Sequence, residues 1–205
     1  MSKRLGVGFI GSGFNTRFHI QGWRGVRDAD VLGVWSPNTA NAASAAKLAR
    51  EIGVGDAKAY KSIADMVAEP AIDAIWLCGP NQARISNMEE IVAAVKSGKG
   101  SLKGIACEKP LGRSAAEAKQ IVRWSKFDAY INTDFWDMTW LPRRPKRVHL
   151  FHGVAGKYGL DAPVRIAPVV ATFDRLMFPN VDRLSRYVEA GIVDGQSPQA
   201  SLVGY

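Results

Sequence analysis

Leu5-Gly6-Val7-Gly8-Phe9-Ile10-Gly11-Ser12-Gly13 is a short apolar run that ends in two glycines separated by one residue. A run of this kind, followed at once by a segment compatible with helix over residues 14–24, reads as strand, tight turn and helix. Gly11 permits the sharp bend and Gly13 leaves room for the backbone to approach a pyrophosphate. The helix that opens at Phe14 and Asn15 offers unpaired N–H groups and the positive end of its dipole. Thr16 stands at the third position of the Gly-x-Gly-x-x-Gly pattern and is small enough for close helix–strand packing.

The pattern continues. Val31-Leu32-Gly33-Val34-Trp35 reads as a second strand, and the alanine-rich, proline-free residues 40–51 as a helix ended by Gly53. Ser62 can cap a short helix through Ala68. Ile72-Asp73-Ala74-Ile75-Trp76-Leu77-Cys78 reads as a third strand, closed by Gly79-Pro80-Asn81. Ser86-Asn87-Met88-Glu89 fits a capping box for a helix over residues 90–97 stopped by Gly98, and Ser114-Ala115-Ala116-Glu117 a second one for a helix to about Val122. Strands alternating with helices over short loops predict a parallel sheet covered on both faces, a doubly wound α/β (Rossmann) fold over residues 1–122.

At the end of the second strand, an Asp or Glu would accept from the adenosine ribose 2′-hydroxyl and favour NAD. The chain has Trp35-Ser36-Pro37-Asn38 there. Ser36 and Asn38 can donate to a 2′-phosphate without repelling it, but no arginine stands in that turn, so NAD and NADP both remain open. Glu108-Lys109-Pro110, at the end of the strand-like residues 103–107, adds a cation where the carboxyl ends of the strands gather ligands. An isolated tripeptide of this kind is usually a surface loop; its place after a strand in this pattern makes it a candidate site.

The chain resembles the glucose-fructose oxidoreductase, inositol dehydrogenase and MocA family, written Gfo/Idh/MocA. The resemblance covers residues 4–122 and rests on four ordered pieces. These are the stretch from Val7 to Gly13 with His19 following, the stretch from Ile72 to Cys78 leading to Pro80-Asn81, the helix ending in Gly98, and Ala106-Cys107-Glu108-Lys109-Pro110-Leu111 leading to Glu117-Ala118. It implies hydride transfer between NAD or NADP and a hydroxyl or carbonyl carbon of a sugar, inositol or related polyol. Lys109 is then the catalytic residue, polarising the reacting oxygen or assisting proton transfer, with burial lowering its pKa and Glu108 holding or tuning it. Gly11, Gly13, Phe14, Asn15, Ser36, Asn38, Pro80, Asn81, Glu108 and Lys109 are the expected cofactor-binding residues. A cis Lys109–Pro110 bond is expected there. Many members carry a histidine shortly after the Pro-Asn pair; Arg84 occupies that neighbourhood here and takes over no catalytic role.

After Arg123 the texture changes. From Arg123 to the end arginine outnumbers lysine by 8 to 3, against 7 to 9 before it, and Glu189 is the only glutamate. Trp124, Trp136 and Trp140 cluster, and Leu141-Pro142-Arg143-Arg144-Pro145-Lys146-Arg147 reads as irregular. His149 and His152 do not form the Asp-x-x-x-His arrangement that the resemblance implies for a second, substrate-binding domain. The expectation for residues 123–205 is a short, irregular C-terminal tail, either truncated and continuing out of its ancestral reading frame or a genuinely divergent appendage. A non-catalytic dinucleotide-binding module, or an inactive fragment, is the competing functional reading.

Bulk composition excludes other classes. The net charge of +8 divides into 16 basic against 11 acidic residues over 1–122 and 11 against 8 over 123–205, so neither part is a basic nucleic-acid module. No apolar run approaches the roughly 20 residues a membrane helix needs, and the start leads into a strand rather than an apolar leader, so the expected location is the cytoplasm. Cys78 and Cys107 have no metal-ligand spacing and are expected as free thiols, with no metal. Apolar surface left where a second domain would pack is expected to drive aggregation or pairing of the chain with itself as a homo-oligomer.

Overall fold

The computed structural model describes residues 4–123, 128–132, 145–151 and 163–203. The chain divides into one unit over residues 1–125 and another over residues 126–205.

In the first unit, β1 (Leu5–Ile10), α1 (Phe14–Gly22), β2 (Ala29–Trp35), α2 (Thr39–Glu51), β3 (Lys58–Ala59), α3 (Ile63–Ala68), β4 (Ala74–Leu77), α4 (Arg84–Lys96), β5 (Gly104–Cys107) and α5 (Ala115–Arg123) alternate as expected. All strand pairs are parallel, in the order β3-β2-β1-β4-β5. The chain therefore winds outward from β1 in one direction and then in the other. The switch falls between β1 and β4, where the loops that follow the two strands diverge to opposite faces and leave a crevice.

Burial on both faces explains why β1 reads as a nearly continuous apolar run rather than an alternating one. Val7 and Phe9 face α1 and α2, where Phe9 packs edge-on to Trp23 at 5.5 Å and stacks on Trp76 at 5.8 Å. Ile10 faces the opposite layer of Ile63, Met66, Leu77, Met88 and Ile91. Asn38 and Ser62 cap α2 and α3 by accepting from the amides of Asn41 and Asp65.

The buried Asp73 ties the two central strands together below the sheet. Its carboxylate accepts from the Gly6 amide at 3.0 Å and pairs with the Lys103 ammonium at 2.7 Å, and its own amide donates to the Gly6 carbonyl. Asp73→Ala leaves the buried Gly6 amide without its acceptor. Unfolding of the first unit in urea is expected to show a loss of about 3 kcal/mol, against less than ~1 kcal/mol for Lys103→Ala, whose ammonium is solvent-screened.

One helix start differs from expectation. A 3₁₀ turn over Asn81–Ala83 leads directly into α4 at Arg84. Ser86 lies inside the helix, donating to the Ala83 carbonyl at 3.0 Å rather than capping. Pro80 starts the turn earlier than the capping box implied. At α5 the Ser114 hydroxyl does accept from the Glu117 amide, but the Glu117 carboxylate returns to the amide and guanidinium of Arg113.

The second unit corrects the expected irregular tail. β6 (Ala129–Asn132), β7 (Lys146–Leu150), α6 (Pro163–Val170), β8 (Arg175–Phe178), α7 (Val181–Glu189) and β9 (Ala200–Leu202) include a four-stranded parallel sheet in simple sequential order. Lys146 and Arg147, expected in an irregular basic segment, open β7, and Lys146 lies 4.0 Å from Asp174. Leu176, Phe178, Phe151, Phe173 and Tyr187 are buried in its largely aromatic core, with Phe151 and Phe178 stacked at 4.3 Å. The buried His149 ring meets Phe151 at 4.4 Å and Phe173 at 5.3 Å. Strands of three to five residues are too short to show a period in sequence, and the basic flank of β7 disguised its start. Trp124, Trp136, Trp140, residues 141–144 and His152 lie outside the described residues.

Candidate dinucleotide and hydride-transfer site

Three backbone bonds carry the sheet ladder one residue past the strands. The Gly11 amide donates to the Trp35 carbonyl at 2.8 Å, the Cys78 amide to the Ile10 carbonyl at 2.8 Å and the Glu108 amide to the Leu77 carbonyl at 3.0 Å. The Gly11-Ser12-Gly13 turn, the Gly79-Pro80-Asn81 turn and the Glu-Lys-Pro turn therefore stand in register along the carboxyl edge of the sheet.

Gly11 has φ +110°, a conformation that L side chains rarely adopt, and a Cβ there would lie 3.0 Å from the Gly79 nitrogen and 3.1 Å from the Cys78 carbonyl carbon. Gly13 is different. Its φ is −78° and a Cβ there would meet nothing within 4 Å, so no packing within this chain requires a glycine. No side chain caps α1, whereas α2, α3 and α7 each have one. Its first-turn N–H groups are left for a ligand. Thr16 is fully buried, as close packing at the third position demands. Phe14 and Asn15 are exposed at the helix start, with Phe14 stacked on the less exposed Phe18 at 6.1 Å.

The Ser12 hydroxyl donates to that of the buried Ser36 at 2.9 Å, joining the Gly-Ser-Gly turn to the end of β2. The Asn38 side-chain oxygen is committed to capping α2, which leaves its amide nitrogen for a ligand. Arg17, which motif reading passed over, reaches from α1 to the Ser44 hydroxyl of α2 at 2.8 Å.

Pro80 is exposed and Asn81 half-buried at the mouth of the crevice. The Lys109–Pro110 bond is cis. Two expectations about this turn are corrected. Lys109 is exposed, where burial was expected. The Glu108 carboxylate turns away from Lys109 and bonds His19 Nε2 at 2.6 Å, while the His19 ring rests 4.6 Å from that of Trp76. The spacing of 89 residues between the two partners hid this pair, although both belong to the quoted motifs.

Arg84 is the principal residue that sequence reasoning left without a role. It is 3% exposed, and its guanidinium donates to the carbonyls of Glu108, Gly79 and Lys109, the last two at 3.4 Å. Burial pushes the Cys78 thiol up to about 12, with the Thr16 hydroxyl and the Arg84 charge opposing the shift, and raises Cys107 for the same reason. Both thiols are thus protonated near neutrality.

His19, Cys78 and Glu108 present ligand atoms within 4.8 Å of one another, a nitrogen, sulfur and oxygen set that zinc accepts. Within this set the His19 ring and the Glu108 carboxylate are hydrogen-bonded at 2.6 Å, with the Cys78 thiol beside them.

Residues 5–127, more than half of the chain, match the family model described as an oxidoreductase family with an NAD-binding Rossmann fold, Gfo/Idh/MocA. The chain belongs to this family. Among solved structures, it is similar to UDP-N-acetylglucosamine 3-dehydrogenase from Acidithiobacillus ferrooxidans at 23% identity, covering 59% of this chain and 35% of that one, with a TM-score of 0.46. It is similar to myo-inositol 2-dehydrogenase from Lactobacillus plantarum at 22% identity, covering 60% and 33%, with a TM-score of 0.47. Biliverdin reductase from Synechocystis, solved with biliverdin and NADP+, matches at 23% identity, covering 58% and 34%, with a TM-score of 0.43. The chain thus spans about a third of the length of these proteins. Comparison with curated protein sequences returns no match. Among the described residues, no helix is long and apolar enough to cross a membrane.

Proposed function

We propose that the first unit holds the NAD or NADP of a Gfo/Idh/MocA oxidoreductase that moves a hydride to or from a sugar, inositol or related polyol. The observation that carries this reading is Gly13: a glycine that this chain's own packing does not need, in front of an uncapped helix, leaves open the approach a pyrophosphate requires. Gly11, Gly13 and the first turn of α1 hold the pyrophosphate. Ser36 and the Asn38 amide face the adenosine ribose, and Pro80 and Asn81 flank the nicotinamide side.

A bound nicotinamide supplies or accepts the hydride. Lys109 donates a hydrogen bond to the reacting oxygen and stabilises negative charge that develops on it. Its exposure in this unit means that exclusion of water around it depends on groups beyond the residues gathered here. That same exposure favours the second reading, a dinucleotide-binding module without turnover. We further propose that residues 126–205 form a divergent α/β appendage, because a buried aromatic core beneath parallel strands has the pattern expected of a sequence selected to fold.

Fluorescence titration of the full chain with NADH and NADPH tests the first step, and a panel of inositols, aldoses and alditols followed at the reduced-nicotinamide absorbance tests the second. Binding with turnover on at least one panel member is expected. Failure to bind either cofactor refutes the reading; binding without turnover leaves the module.

A further inference from the structure

We propose that Arg84 is a positioning residue for Lys109, its guanidinium clamping the carbonyls of Gly79, Glu108 and Lys109 so that the Glu-Lys-Pro turn is held at the edge of the cofactor site. The proposal rests on the dinucleotide reading above. Arginine is rarely this deeply buried without a charged partner, yet none of the ion pairs among the described residues includes Arg84. Its charge is met by main-chain oxygens from two segments about 30 residues apart in sequence, one following β4 and one following β5. It is also the first residue of α4, where the helix dipole disfavours a cation. The buried Nε has no acceptor, so the side chain holds its position at a further cost.

Two unfavourable placements and an unsatisfied donor are offset only by the grip on the turn. Among the described residues, no hydrogen bond or ion pair fixes the Lys109 ammonium, so its location is set by the main chain on either side of it. Two of the three clamped carbonyls belong to that main chain. The guanidinium holds its two terminal nitrogens in a fixed planar fork, Nη1 on Glu108 and Nη2 on Gly79 and Lys109, whereas a lysine ammonium is a point donor on a flexible stem.

Hydrogen–deuterium exchange of the full chain, without cofactor, tests the clamp in Arg84→Lys and Arg84→Ala. Exchange in the peptide spanning residues 104–114 is expected to rise about tenfold in both variants as the turn loses its anchoring bonds, with β2 and α2 unchanged. Added ethylguanidinium is expected to restore slow exchange in Arg84→Ala and not in Arg84→Lys. In the parent chain NADH shields Lys109 from an amine-acylating reagent; both variants lose that shielding while NADH affinity changes by less than about threefold. Exchange in Arg84→Lys within about twofold of the parent overturns the proposal, as does an Arg84→Ala variant of native helix content that ethylguanidinium leaves unaltered. If Arg84→Ala does not fold, Arg84→Lys decides alone. A parent chain that binds no NADH refutes the dinucleotide reading instead, and the exchange arm still decides whether Arg84 holds the turn.

Discussion

Gly11→Val is expected to weaken NADH binding by roughly 100-fold, about 2.7 kcal/mol, and to destabilise the first unit at the same time. The residue has φ +110°, and a Cβ there would press on the main chain of Cys78 and Gly79 at 3.0–3.1 Å. Main chain cannot swing aside as a side chain can, so the loop must move, at a strain of order 1–3 kcal/mol. That movement disturbs the register in which Gly11 and Cys78 bond their neighbouring strands. Gly13→Ala separates the two effects. No atom of this chain lies within 4 Å of the added methyl, so stability should stay within ~0.5 kcal/mol. NADH affinity should still fall at least ~10-fold, because the methyl occupies the pyrophosphate approach. Urea melts beside fluorescence titrations read both quantities. A Gly13→Ala chain that binds as tightly as the parent would show that no phosphate lies against that turn.

Lys109→Met should lower turnover on an accepted polyol by ~10²–10⁴-fold, the usual worth of a positioned proton-transfer or charge-stabilising group. Methionine keeps the length and much of the stem packing and removes the ammonium. Lys109 is exposed and fixed through its main chain, so its removal should leave stability unchanged within ~0.5 kcal/mol and cofactor affinity within about threefold. A loss confined to kcat is the outcome expected of a group that acts on the reacting oxygen. Unaltered kcat would remove Lys109 from the chemistry and leave Glu-Lys-Pro as a cofactor contact.

The first sheet was legible because its elements are long or sharply punctuated. β1 runs into Gly11, α2 spans thirteen residues of which six are alanine, and each crossover is short enough to leave one topology. The cofactor loop was legible for the same reason, since the demand for glycine at two positions is local. What failed was contact between distant segments. His19 and Glu108 were both quoted in motifs, but nothing in the sequence assigns the carboxylate to the imidazole rather than to its neighbour Lys109. Arg84 looked like a departure from the family's histidine, with no sign that it reaches three carbonyls. Burial of Lys109 was an inference from family chemistry, and it fails because solvent exposure depends on what surrounds a residue in space.

The sequence by itself determined the strand–turn–helix opening, the parallel doubly wound sheet and the family, because these follow from glycine conformation, chain connectivity and local period. Tertiary structure alone decided which side chains meet at the carboxyl edge of that sheet. It also decided that the segment after Arg123 contains strands. Four-residue strands have almost no period of their own, and they are specified by neighbours on either side that bury Leu176 and Phe178 against Phe151 and Tyr187.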